Sequence, residues 1–185
     1  LHSGGMEILT DEKRAADEDN PEGYLEYEPV KRLREDNGWL ADAKGKVVKV
    51  IAQQLPFLPH EHQYRIVFMD RDLREVLASQ SKMLERNGLD PAEVDDNVLA
   101  RTFIRQVNQV KRLLAAHRNI DLLNVSYHSV LEAPDRVASA VADFVGRNLN
   151  QDQMQKRVQP ALHRNVVKLS PSVDVSISRS LSDQR

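Results

Sequence analysis

The chain contains no cysteine. That excludes a disulfide framework, a thiol nucleophile and any zinc site built on thiolates, and it fits a reducing cytoplasm. It has no apolar run near the roughly 20 residues that a membrane-spanning helix needs, and no n-region/h-region pattern of a secretory signal is visible in it. An excess of one charge is lacking too. Lys and Arg number 26 against 28 Asp and Glu, a formal net charge of −2. A general nucleic-acid-binding surface needs a basic excess. The balance argues against one and leaves room for a small basic pocket. His60 and His62 stand as HxH without a third histidine or a carboxylate at metal-ligand spacing, so they are expected to be surface histidines. Phosphate-cradling runs of the GxxxxGK[ST] kind are absent, and so are internal repeats.

What is present suffices for one domain. With 185 residues and a hydrophobic fraction of 41%, the chain can enclose a real core. The domain is expected over residues 1–169. Residues 170–185 are Ser-rich and weakly apolar, and are expected to form a tail without structure. Asn20-Pro21-Glu22-Gly23 signals a turn. Residues 28–36 predict a short helix opened by Pro29. Residues 46–51 (KVVKVI) predict a strand, and Leu55-Pro56-Phe57-Leu58-Pro59 a loop or short turn. Residues 64–70 predict a second strand around Ile66, Val67, Phe68 and Met69. A helix is expected over 72–86, ended by Asn87-Gly88. Pro91 opens a longer helical pattern to His117, with Val94, Val98, Ile104, Val107, Val110 and Leu114 as its apolar stripe. Residues 120–126 predict a third strand, and 134–147 an amphipathic helix opened by Pro134. Strands alternating with helices imply an α/β fold with a mostly parallel sheet.

The densest chemistry lies in residues 64–80. Arg71 follows the second strand, Asp72 can cap the next helix with Glu75 closing a capping box, and Ser79 stands two turns into that helix. A guanidinium fork, a hydroxyl and a helix N-terminus together suit a phosphate.

This strand–Arg–x7–Ser–helix arrangement resembles the 3'-phosphate-binding element of sulfotransferases that use 3'-phosphoadenosine-5'-phosphosulfate (PAPS). Three further segments are similar to the same family. They are Asp19-Asn20-Pro21-Glu22-Gly23-Tyr24-Leu25-Glu26, with Leu25 at the usual aromatic position; residues 46–59 (KVVKVIAQQLPFLP); and Asn124-Val125-Ser126-Tyr127 followed by Leu131-Glu132-Ala133-Pro134. In order they cover about residues 4 to 165. The resemblance implies a three-layer P-loop-type fold. It implies that Arg71 and Ser79 hold the 3'-phosphate of PAPS, or of its product adenosine 3',5'-bisphosphate, and that Tyr127 lies beside the adenine. Lys49 falls at the family's strand lysine, which reaches the sulfuryl-bridging phosphate; a solvent-facing lysine is the other reading. Arg164, in His163-Arg164, sits where relatives place late basic residues, and a surface cation is its other reading.

Two departures change the expectation. Val50 and Ile51 stand where cytosolic sulfotransferases carry a histidine base. Glu26 is then the candidate base, with Glu28 second, unless Glu26 is a structural carboxylate. The family's first strand and its phosphosulfate loop have no counterpart, and Leu1-His2-Ser3-Gly4-Gly5 looks like the end of the helix that follows that loop. The chain is therefore expected to be truncated and inactive as given. The parent activity implied is sulfuryl transfer from PAPS to a hydroxyl or amine of a small-molecule or glycan acceptor, with no metal, nucleic acid or membrane involved. Homo-oligomerisation stays open. The alternatives are a non-catalytic remnant acting through protein contacts, or a small-molecule kinase, for which no Walker lysine is found.

Overall fold

The computed structural model describes residues 1–16, 20, 23–72, 75–76, 96–159 and 175–178. Its centre is a three-stranded sheet in the order β1-β2-β3. Strands β1 (Tyr64–Asp70) and β2 (Ile120–Ser126) are parallel, in register from Tyr64↔Ile120 to Asp70↔Ser126. Helix α1 (Asp96–Ala116) lies between them in sequence, the connection that a parallel pair requires. Helices α2 (Tyr127–Glu132), α3 (Pro134–Val145) and α4 (Gln151–Lys156) follow β2. Helix and strand thus alternate as in an α/β protein.

Side-chain alternation along β1 and β2 sorts the core into two clusters. Ile66 and Phe68 join Ile120 and Leu122 on one face, with Val107, Val110 and Leu114 of α1 and with Leu33, Trp39, Leu55 and Leu58. Val67 joins Leu123 and Val125 on the other face, with Val137, Val141 and Phe144 of α3 and with Met6 and Leu149. Leu123 and Val125 have no exposed surface. A strand covered on both faces loses the polar–apolar alternation of a surface strand, which is why IDLLNVS is so apolar.

Two local devices fix α3 against the sheet. Gly146 ends the helix at φ +67°, and its N–H bonds back to Ala142 O at 3.0 Å. The Arg65 guanidinium, from β1, donates to Val145 O in the last turn. A cation there satisfies an orphan carbonyl and complements the negative end of the helix dipole.

Several expectations need correction. Residues 46–51 form no strand of this sheet. Val47 makes one isolated parallel bridge with Ile8, through Leu9 N–H to Val47 O and Val47 N–H to Glu7 O, both 2.8 Å. Val47 packs in one core cluster and Val48 and Val50 in the other. The backbone of this segment, however, bonds residues 7–9 rather than β1. The expected set of three parallel strands reduces to β1 and β2. A 3-10 helix over Ala52–Phe57, with Pro56 inside it, follows at once. The helix expected over 28–36 is a 3-10 helix at Glu28–Arg32. On α1, Val98 and Ile104 are 58% and 45% exposed, so the buried stripe is Val107, Val110 and Leu114. Within the expected tail, β3 (Val175–Ser178) pairs antiparallel with β2, from Leu122↔Ser178 to Val125↔Val175. The helix expected over 72–86 is described only at residues 72, 75 and 76, where Val76 N–H bonds Asp72 O at 3.1 Å. Asn87-Gly88 lies outside the described residues, as does Val94. Among the described residues, no helix is long and apolar enough to cross a membrane.

Candidate functional site

Because β1 and β2 are in register to their last residues, the residues that follow leave the sheet at the same edge. These are Arg71 and Tyr127. The Arg71 Cζ lies 4.7 Å from the centroid of the Tyr127 ring, a cation–π contact. The carboxyl edge of parallel strands is where open α/β sheets hold ligands. Arg71 Nε also lies 3.6 Å from Glu75 Oε2, whose side chain is only 6% exposed against 34% for Arg71. The turn from Asp72 to Val76 brings Glu75 under the guanidinium.

The residue before Arg71 is Asp70, whose carboxylate would repel an anion. Lys111 of α1 meets it in an ion pair, with its Nζ 4.8 Å from the Phe68 ring centroid. At the last residue of β2, the Ser126 hydroxyl accepts from Ser129 N–H at 3.4 Å and caps α2. That cap sets the direction in which Tyr127 departs. Also on α2, His128 Nε2 meets Glu132 Oε1 at 2.9 Å.

Glu26 and Lys49 form a second pair. Lys49 Nζ lies 3.6 Å from Glu26 Oε1 and donates to Tyr24 O at 3.0 Å. Arg14 Nη1 approaches the same carboxylate oxygen at 3.4 Å, and its Cζ stacks 3.3 Å from the Tyr24 ring centroid. The Glu26 backbone is fixed as well, since its carbonyl accepts from Thr10 Oγ1 at 2.8 Å and from Asp11 N–H at 3.2 Å. Asp11 in turn accepts from Glu28 N–H at 2.8 Å. That bond holds the Asp11 carboxyl below its ordinary pKa. Leu25 sits at φ +49°, a left-handed conformation unusual for a leucine, and is 44% exposed. The turn before it closes through Gly23 N–H to Asn20 O at 3.0 Å.

The sequence-predicted residues therefore gather as two pairs, Arg71 with Tyr127 and Glu26 with Lys49. Ser79, His163 and Arg164 lie outside the described residues. Glu28, the second candidate base, turns its carboxylate to Lys31 at 2.9 Å on the surface. His60 and His62 are exposed. His60 stacks on His117 with centroids 4.7 Å apart, and His62 meets Tyr64 edge-on at 6.2 Å. Both lie toward the start of β1, at the end of the sheet opposite Arg71. Among the described residues, no group of three His, Asp or Glu could hold a metal ion.

Sequence reasoning missed Lys111, Arg14 and the Arg71–Glu75 pair. Lys111 had a signal: it falls on the buried stripe of α1, four residues after Val107, where a lysine requires a partner. Arg14 had none, because its contacts depend on the path of residues 10–26. Chemically, the Arg71 edge offers a guanidinium and an aromatic face side by side, suited to an anion attached to a flat ring. The Glu26 group offers a fixed carboxylate between two cations. Comparison with protein-family models, with curated proteins and with solved structures yields no match for this chain.

Proposed function

We propose that the chain is a PAPS-dependent sulfotransferase-type domain of P-loop-type fold, and that Arg71 and Tyr127 receive the 3'-phosphoadenosine end of PAPS. The observation that carries this reading is the placing of Arg71 and Tyr127 side by side at the carboxyl edge of two parallel strands in register. The guanidinium contacts Glu75 through Nε, and the Nη pair of the fork is the part a 3'-phosphate would take. Tyr127 would flank the adenine, and Lys111 would keep Asp70 from opposing the phosphate.

In the parent reaction of that family, Glu26 and Lys49 would carry the transfer itself. The acceptor hydroxyl or amine attacks sulfur while the bond from sulfur to the bridging oxygen breaks. Adenosine 3',5'-bisphosphate leaves, and Glu26 takes the acceptor proton. Lys49 offsets the charge that grows on the bridging oxygen. Their separation of 3.6 Å and partial exposure are compatible with those roles.

Calorimetry with adenosine 3',5'-bisphosphate tests the cofactor assignment. A hydrogen bond to a charged group contributes roughly 1.5–3 kcal/mol, so Arg71→Ala is expected to weaken binding about tenfold or more. Ser79→Ala should weaken it less, since it removes a neutral donor. No effect of Arg71→Ala in a protein with an unchanged circular dichroism spectrum would overturn the assignment.

A further inference from the structure

One face of helix α1 carries charge that has no partner among the described residues. Between Asn97 and Arg118 the sequence has no Asp or Glu. Arg101, Arg105 and Arg112 fall within about 40° of one another on a helical projection, over a rise of roughly 16 Å. That ridge is opposite the buried stripe of Val107, Val110 and Leu114. All three arginines are exposed, and none has an ion pair among the described residues. Lys31, Lys46, Lys49 and Lys111, by contrast, each meet a carboxylate, those of Glu28, Glu7, Glu26 and Asp70. Arg101 and Arg105 stand at i and i+4, a like-charge spacing that costs helix stability. The ridge thus carries a local cost that no ion pair among the described residues offsets.

Exposed apolar residues border it. Ile104 and Leu113, 45% and 41% exposed, lie on either side, and Val98, 58% exposed, lies at its amino end. We propose that this ridge of α1 docks an acidic segment of a partner protein, carboxylates meeting the three arginines and apolar side chains meeting Ile104 or Leu113. Arginine bordered by apolar surface is the composition of a protein interface. A nucleic acid would match the arginines but would leave the apolar border idle, and the net charge of −2 opposes its approach. A membrane surface would require the apolar residues to share one face rather than straddle the cationic ridge.

The test is fluorescence anisotropy on the full chain, with a labelled helical peptide bearing Glu and Leu and with a single-stranded RNA of equal charge. Saturable binding of the peptide, weakened by salt, is expected. The triple variant R101A/R105A/R112A should lose about tenfold in affinity, since three exposed ion pairs together reach that size. Arg136→Ala, an exposed arginine of α3, should change nothing. A charge-reversed variant, R101E/R105E/R112E, should reject the acidic peptide and accept a Lys/Leu counterpart. Tighter binding of the RNA than of the peptide, an unaffected triple variant, or failure of the charge reversal to switch the preferred peptide would each overturn the proposal.

Discussion

Arg65, Gly146 and Tyr64 show how single residues tie the local chemistry to stability. Gly146 occupies the left-handed region, and a Cβ there would lie 2.9 Å from Arg65 Nη1. Gly146→Ala is therefore expected to lower stability by about 1–2 kcal/mol, from the left-handed penalty and displacement of the Arg65 cap, measured by urea denaturation. Burial, with help from Glu61, raises the Tyr64 hydroxyl from 10.0 to about 12. The unfolded chain then ionises first, so stability falls as pH rises from about 10 to about 12. Tyr64→Phe should flatten that alkaline limb in thermal melts; an unchanged slope would count against a buried, protonated Tyr64. Glu26 and Lys49 are partly exposed, and such pairs contribute only about 0–1 kcal/mol. Glu26→Gln should leave the denaturation midpoint nearly unchanged.

At the scale of elements, the sequence was most legible where a segment's own pattern decides its state. The runs YRIVFMD and IDLLNVS became β1 and β2 because short apolar stretches have few alternatives once helices cover both faces. Pro134 and the spacing of Val137, Val141 and Phe144 gave α3 to within two residues of its end. Legibility failed where a distant partner decides. Residues 46–51 have a strand's side chains but bond the backbone of residues 7–9, and β3 is a strand because β2 offers it an edge. The stripe of α1 was read too broadly, since Val98 and Ile104 share its apolarity without facing the core. The burial contrast predicts the energetics. Leu123→Ala, at a site with no exposed surface, should cost about 2–5 kcal/mol, and Leu114→Ala, 1% exposed, a similar amount. Ile104→Ala should cost well under 1 kcal/mol, as exposed substitutions usually do. Equal costs at Ile104 and Leu114 would place the helix in the wrong rotation.

For the whole molecule, the parallel pair β1–β2 is the frame, and its carboxyl edge is the candidate cofactor site. Arg71 and Tyr127 are far apart in sequence; Arg71 was legible as a phosphate ligand from its own segment, and Tyr127 only through the family resemblance. Their adjacency comes from the register of the two strands, which apolar pattern alone does not specify. The support given by Lys111 arises only when α1 packs back on the sheet. The central claim is that the Arg71 guanidinium recognises a 3'-phosphate. It is tested most directly by comparing adenosine 3',5'-bisphosphate with adenosine 5'-monophosphate in calorimetry, on the unaltered chain and on Arg71→Ala. The account predicts that the unaltered chain prefers the bisphosphate by about tenfold or more, that Arg71→Ala abolishes this preference, and that the monophosphate binds both proteins alike. Equal affinity of the unaltered chain for the two nucleotides, or a preference that survives Arg71→Ala in a folded protein, would contradict it.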